Sequence, residues 1–169
     1  MVGLPGSGKS TIGKHLARKL ALEFFDTDNV IERSEGVSIR DIFETKGEVV
    51  FREVEAATLD RLSRQFNCVI STGGGAVLSA ANREILASRC DCIYLRAAPE
   101  ALFNRLKYDR KRPLLQTGNP LHVLRELFNV RDPLYRSIAT CTVDTGLPSI
   151  HFIVQSISEK LQLTSFDAG

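Results

Sequence analysis

The stretch Met1-Val2-Gly3-Leu4-Pro5-Gly6-Ser7-Gly8-Lys9-Ser10-Thr11 contains the spacing Gly3-x4-Gly8-Lys9-Ser10. These residue types could grip a phosphate. Gly3, Gly6 and Gly8 lack a Cβ, so the backbone can curl and turn its N–H groups inward on phosphate oxygens. Lys9 has the reach for β and γ phosphates, and the Ser10 hydroxyl suits a Mg²⁺ ligand. Ile12, Leu16 and Leu20 follow on one helical face. A helix therefore begins where its positive end adds to the pull on the same anion, which a merely flexible Gly/Ser loop would not require.

Phosphoryl transfer also needs a metal and a positioned nucleophile. Asp26 and Asp28 flank Thr27. At a strand's end one carboxylate can face the Mg²⁺ shell and the other an acceptor hydroxyl; the alternative is a helix N-cap made by one of the three. Gly73-Gly74-Gly75 ends another apolar run. Arg52 and Arg131 carry planar forks suited to a carboxylate, though either alone could be a surface charge. The segment around Lys107, Arg110, Lys111 and Arg112 combines charge, glycine and two prolines. It reads as a solvated loop or as a basic lid that closes on the γ phosphate.

Short apolar runs alternating with amphipathic stretches must position these groups. Strands are expected at 22–26, 68–72, 90–97 and 140–145. Helices are expected after the phosphate loop, across about 38–66, at 79–89, 99–107, 121–139 (interrupted at Pro133) and 148–163. This alternation argues for an α/β fold with a parallel sheet covered on both faces. Ligands of such sheets bind at the carboxyl ends of the strands, where the phosphate loop, Asp26–Asp28, the triple glycine and Asp144-Thr145-Gly146 all fall. Only Met1 and Val2 precede the loop, whereas a central strand runs to about five or six residues. The chain as given is thus expected to begin inside its first strand.

A chain of 169 residues suits one domain with a sizeable core. A net charge of +2 does not point to a nucleic-acid partner. Without an apolar run of membrane-spanning length or a signal-peptide pattern, the protein is expected in the cytoplasm, with no membrane partner. Cys68, Cys90, Cys92 and Cys141 form no Cys-x2-Cys pair and are expected as buried reduced thiols in strands. His15, His122 and His151 share no spacing and are expected to be structural or solvent-facing.

The motifs GLPGSGKST, DTD, FREVE, GGG, KRPLL and RDPLY occur in this order, and the sequence resembles shikimate kinases over nearly its whole length. The resemblance implies a single domain over residues 1–169 with the three-layer α/β/α fold of nucleoside monophosphate kinases. Its five parallel strands would run in the order 2-3-1-4-5, with a lid at about 108–119 and an acceptor-binding helical region at about 27–62. It further implies transfer of the ATP γ-phosphate to the 3-hydroxyl of shikimate, in aromatic amino-acid biosynthesis, by a monomer.

The same resemblance distributes the roles. Gly3, Gly6, Ser7, Gly8, Lys9, Ser10 and Thr11 would hold ATP, with Arg105 and Pro148 near the adenine. Ser10 and Asp26 would hold Mg²⁺. Asp28 would bind shikimate hydroxyls and act as base, Arg52 and Arg131 would bind the carboxylate, and Gly74 and Gly75 would offer backbone N–H groups. Lys9 and Arg112 would complete the catalytic set at the transferred group. A pocket with one carboxylate and two arginines suits a hydroxyl nucleophile on a carboxylate-bearing molecule. A gluconate kinase or another small-hydroxyacid kinase fits that description too, and a nucleotide-binding module without catalysis is an alternative of another class.

Overall fold

The computed structural model describes residues 1–106, 119–146 and 149–162. In chain order the elements are α1 (Lys9–Lys19), β1 (Glu23–Asp26), α2 (Thr27–Glu35), α3 (Ile39–Thr45), α4 (Gly47–Leu62), β2 (Cys68–Ser71), a short 3-10 turn (Ala76–Leu78), α5 (Ala80–Arg89), β3 (Ile93–Arg96), α6 (Pro99–Leu106), α7 (Pro120–Ile138), β4 (Cys141–Asp144) and α8 (Ile150–Lys160). Helix starts follow the capping chemistry of the sequence. Ser38 and Asp41 form a reciprocal capping box on α3, Asn119 caps α7 with Pro120 in its first turn, and Ser149 caps α8.

The strands form two parallel pairs, β1 with β2 and β3 with β4. Met1 and Val2 run between the pairs. The Met1 nitrogen donates to the Ile70 carbonyl at 2.5 Å, and Thr72 N–H donates back to the Met1 carbonyl at 3.1 Å. On the other side Val2 N–H donates to Ile93 and Leu95 N–H to Val2, both at 2.9 Å. Two residues thus pair in both directions, and alternation sends their side chains to opposite faces. Val2 joins Leu4, Leu59, Val77, Leu86, Tyr94, Leu102, Leu124 and Tyr135, from the side of α4–α7. Met1 joins Ile12, Leu16, Leu20, Val69, Leu95, Val143, Ile153 and Ile157, from the side of α1 and α8. Helices therefore cover strands on both faces, the α/β architecture expected. A third cluster, Ile31, Ile42 and Phe51, holds α2, α3 and α4 to one another.

Three sequence expectations are corrected. The helix expected to break at Pro133 is continuous as α7. Proline removes one i→i−4 bond, but Leu124, Tyr135 and Ile138, on both sides of it, are buried in one core. Of the four cysteines only Cys92 is fully buried, and Cys90 caps a helix rather than lying in a strand. On α4 the spacing of Phe51, Val54, Thr58 and Leu62 predicts that these four share the buried face, but the buried stripe is Phe51, Glu55, Thr58, Leu59 and Leu62, with Glu55 in place of Val54. All three histidines are exposed. No described helix is long and apolar enough to cross a membrane. The lid expected at about 108–119 lies outside the described residues, except for Asn119.

Candidate functional site

The phosphate loop spans the gap between Val2 and α1. Gly3, Gly6 and Gly8 have φ of 149°, 81° and 92°, a region that side chains with a Cβ rarely adopt. At Gly3 the demand is also steric, since a Cβ would lie 2.6 Å from the Leu95 carbonyl oxygen. Gly8 caps α1 without any side-chain bond, so the first N–H groups of that helix face the loop. Lys9 Nζ donates to the carbonyls of Gly3 and Leu4 at 2.9 and 3.0 Å, folding its ammonium across the loop. Ser7 is fully buried, and its hydroxyl has no hydrogen-bond partner among the described residues. Ser10 and Thr11 are exposed on the first turn of α1.

Asp26 caps a helix and also bonds the first turn of α1. Its Oδ1 accepts from the backbone N–H of Asp28 at 3.2 Å, capping α2. Its Oδ2 accepts from the Ser10 hydroxyl at 2.5 Å, and Ser71 Oγ lies 3.5 Å from the same hydroxyl. A hydroxyl and a carboxylate brought together beside a phosphate loop are the hard oxygen donors that suit Mg²⁺. Between the aspartates, buried Thr27 accepts the N–H of Gly73 at 3.0 Å, which ties the end of β1 to the glycine turn after β2.

Three charged side chains converge on that glycine turn. A Cβ on Gly73 would lie 2.9 Å from Asp28 Oδ1 and 3.0 Å from Glu55 Oε1; one on Gly75 would lie 2.6 Å from Arg52 Nη1. Asp28, Glu55 and Arg52 thus close over a turn that has room for hydrogens only. Gly74 lies against Pro5 of the phosphate loop, so the glycine turn abuts that loop. Burial, then the carboxylates of Asp26 and Glu55, push Asp28 up to about 6. Its proton affinity is therefore raised toward the range useful to a base near neutral pH.

Arg52 is held from two sides. Its Nη1 donates to Glu55 Oε2 at 2.7 Å, and its Nε and Nη2 reach Glu48 Oε1 at 3.3 and 3.1 Å. Glu55 is 2% exposed. Burial raises its carboxyl, while Arg52 and then Arg131 oppose the rise, so both guanidiniums act on one carboxylate. Sequence reasoning missed Glu55 and also Tyr135. The signal for Glu55 was a charge four residues after Phe51 on the apolar stripe of α4. Tyr135 lies one turn after Arg131, is fully buried, and donates its hydroxyl to the Gly74 carbonyl at 2.6 Å; nothing local in the sequence marked that contact.

Away from this turn, Arg105 donates to the hydroxyl and carbonyl of Thr145 at 3.1 and 2.5 Å, beside the turn after β4. Arg112 and Pro148 lie outside the described residues. A cavity of about 300 Å³ opens at the amino ends of β2 and β3, beside Cys68, Cys90 and Cys92. It is at the opposite end of the strands from the loop.

Comparison with known proteins agrees with the geometry. The family model for shikimate kinase matches residues 5–162. A shikimate kinase of Thiobacillus denitrificans is 49% identical over 172 residues, which cover 99% of this chain and 94% of that protein. A solved shikimate kinase from Acinetobacter baumannii in complex with shikimate matches with a TM-score of 0.91 and 43% identity, over 95% of this chain and 90% of that one. A gluconokinase from Sinorhizobium meliloti matches with a TM-score of 0.60 and 21% identity, a likeness of fold alone. A family match over nearly the whole chain, with relatives close to half identical, accounts for a phosphate loop abutting a carboxylate and guanidinium pocket: this chain belongs to the shikimate kinase family.

Proposed function

We propose that this kinase transfers the γ-phosphoryl group of ATP to the 3-hydroxyl of shikimate, giving shikimate 3-phosphate for aromatic amino-acid biosynthesis. The observation that carries the reading is the closure of Asp28, Arg52 and Glu55 over the Gly73–Gly75 turn, directly against the phosphate loop. A phosphate acceptor would be ionised already and would need no base. A raised carboxyl beside a guanidinium suits a neutral hydroxyl on a molecule that also bears a carboxylate.

The acceptor hydroxyl oxygen attacks the γ phosphorus as its proton passes to the Asp28 carboxylate. The new O–P bond forms as the bond from the γ phosphorus to the β–γ bridging oxygen breaks, and ADP leaves. Lys9 and the loop N–H groups hold the phosphates, with Gly3, Gly6, Ser7, Gly8 and Thr11 shaping the cradle. Arg52 and Arg131 take the acceptor carboxylate, and Gly74 and Gly75 line its floor. Ser10 and Asp26 would hold Mg²⁺, whose charge offsets that of the phosphates. The family resemblance assigns Arg112 to the transferred group, and Arg105 and Pro148 to the adenine side. We read the strand pairs and Met1–Val2 as one sheet, β1-β2-(Met1–Val2)-β3-β4, which is the order 2-3-1-4-5 when Met1–Val2 is counted as the first strand, in a single domain, and the enzyme as monomeric.

The test is the position of the product phosphate. Phosphorus NMR of a reaction of ATP with shikimate should show the new phosphate coupled to the proton on carbon 3. A phosphate on another hydroxyl, or inorganic phosphate alone, overturns the reading.

A further inference from the structure

Tyr135 touches two parts of the acceptor pocket that lie far apart in sequence. It is fully buried on α7, one turn beyond Arg131, so their side chains share a face. Its ring stacks on Tyr94 of β3, with centroids 5.0 Å apart and planes 29° apart. The hydroxyl of Tyr94 is spent inside the core, donating to Asp132 Oδ1 at 2.7 Å, while Asp132 Oδ2 accepts from Arg136 at the same distance. The hydroxyl of Tyr135 is spent differently. It crosses 61 residues of sequence to donate to the Gly74 carbonyl at 2.6 Å.

The Gly74 carbonyl and the Gly75 N–H belong to one planar trans peptide, so they point in opposite directions. Fixing the oxygen fixes the N–H. Glycines on both sides of that peptide leave it little intrinsic preference, and a turn of three glycines would otherwise sample several orientations. Phenylalanine would fill the same space in the stack; only the hydroxyl reaches the turn.

We infer that Tyr135 is a positioning residue for the acceptor: by holding the Gly74 carbonyl from the helix that carries Arg131, it aims the Gly75 N–H and keeps the glycine turn in register with the carboxylate grip. This rests on the proposed reading of the pocket as the acceptor site.

Tyr135→Phe is the test, with Tyr94→Phe as comparator, because that hydroxyl bonds Asp132 rather than the glycine turn. In the full-length enzyme Tyr135→Phe should raise the shikimate KM roughly three- to tenfold, the worth of one neutral hydrogen bond. The ATP KM should stay within about twofold. Tyr94→Phe should lower the melting temperature without raising the shikimate KM. Amide exchange at Gly75 in the unliganded protein should quicken in Tyr135→Phe and not in Tyr94→Phe. This readout needs no substrate, so it remains decisive if wild-type enzyme fails to phosphorylate shikimate. An unchanged shikimate KM and unchanged Gly75 exchange in Tyr135→Phe overturn the inference. So does an equal rise of the shikimate KM in both variants, which would mark general loosening of the stack.

Discussion

At Asp28, burial and two neighbouring carboxylates raise the carboxyl to about 6, and this has one consequence for rate and another for stability. Asp28→Asn should keep the ATP KM and lose roughly 10²- to 10⁴-fold in kcat, the usual worth of a positioned base; near-normal turnover would remove that role. The folded protein also holds this proton more tightly than an unfolded aspartate with its ordinary value of 3.8. The associated stability is fully present below 3.8 and is lost as pH rises through about 6. In metal-free buffer Asp28→Asn should therefore melt higher than wild type at pH 7, and the gain should shrink on acidification; melting curves at pH 7 and pH 4 check the sign. Arg52→Lys and Arg131→Lys keep the charge but lose the fork. Each should raise the shikimate KM roughly ten- to a hundredfold, at the scale of a charge-assisted hydrogen bond, with little change for ATP. A rise in the ATP value instead would reassign the residue.

The glycine turn and the helices around it act as elements. Gly75 has φ of −92°, so alanine is allowed there by the backbone, and the three atoms nearest its Cβ would all belong to the far end of the Arg52 side chain. Gly75→Ala should thus leave the melting temperature nearly unchanged while raising the shikimate KM roughly tenfold, as Arg52 is pushed from its place. A large drop in melting temperature would show that the turn is strained rather than merely close to Arg52. Legibility in the sequence followed the range of the interactions. The phosphate loop and the ends of β1 and β2 are set by neighbouring residues, and their motifs announced them. Glu55 was legible only as an anomaly, a carboxylate on an apolar stripe, because its partners Arg52 and Arg131 come from two helices. Tyr135 was not legible, because its hydroxyl finds a backbone carbonyl 61 residues away. Pro133 misled because proline's local cost was visible in the sequence while the buried residues flanking it in α7 were not.

In the whole molecule, the phosphate loop and the glycine turn meet because the strands run parallel. Parallel strands deliver their carboxyl ends to one edge, and there β1 presents Asp26, β2 leads to Gly73, and Val2 leads to Gly3. Thr27 to Gly73 and Tyr135 to Gly74 lace that edge together. The alternation of apolar and amphipathic stretches was enough to predict the layers, and the paired hydrogen bonds of Met1 and Val2 place the phosphate loop between the two strand pairs. On the proposed reading, this edge binds a hydroxyl and a carboxylate on one small acceptor. The most direct measurement is ADP release by the wild-type enzyme with ATP and Mg²⁺, compared across shikimate, gluconate and no acceptor. Rapid, saturable release is expected with shikimate, and only background release in the other two. Equal release without acceptor, or a preference for gluconate, would contradict that reading.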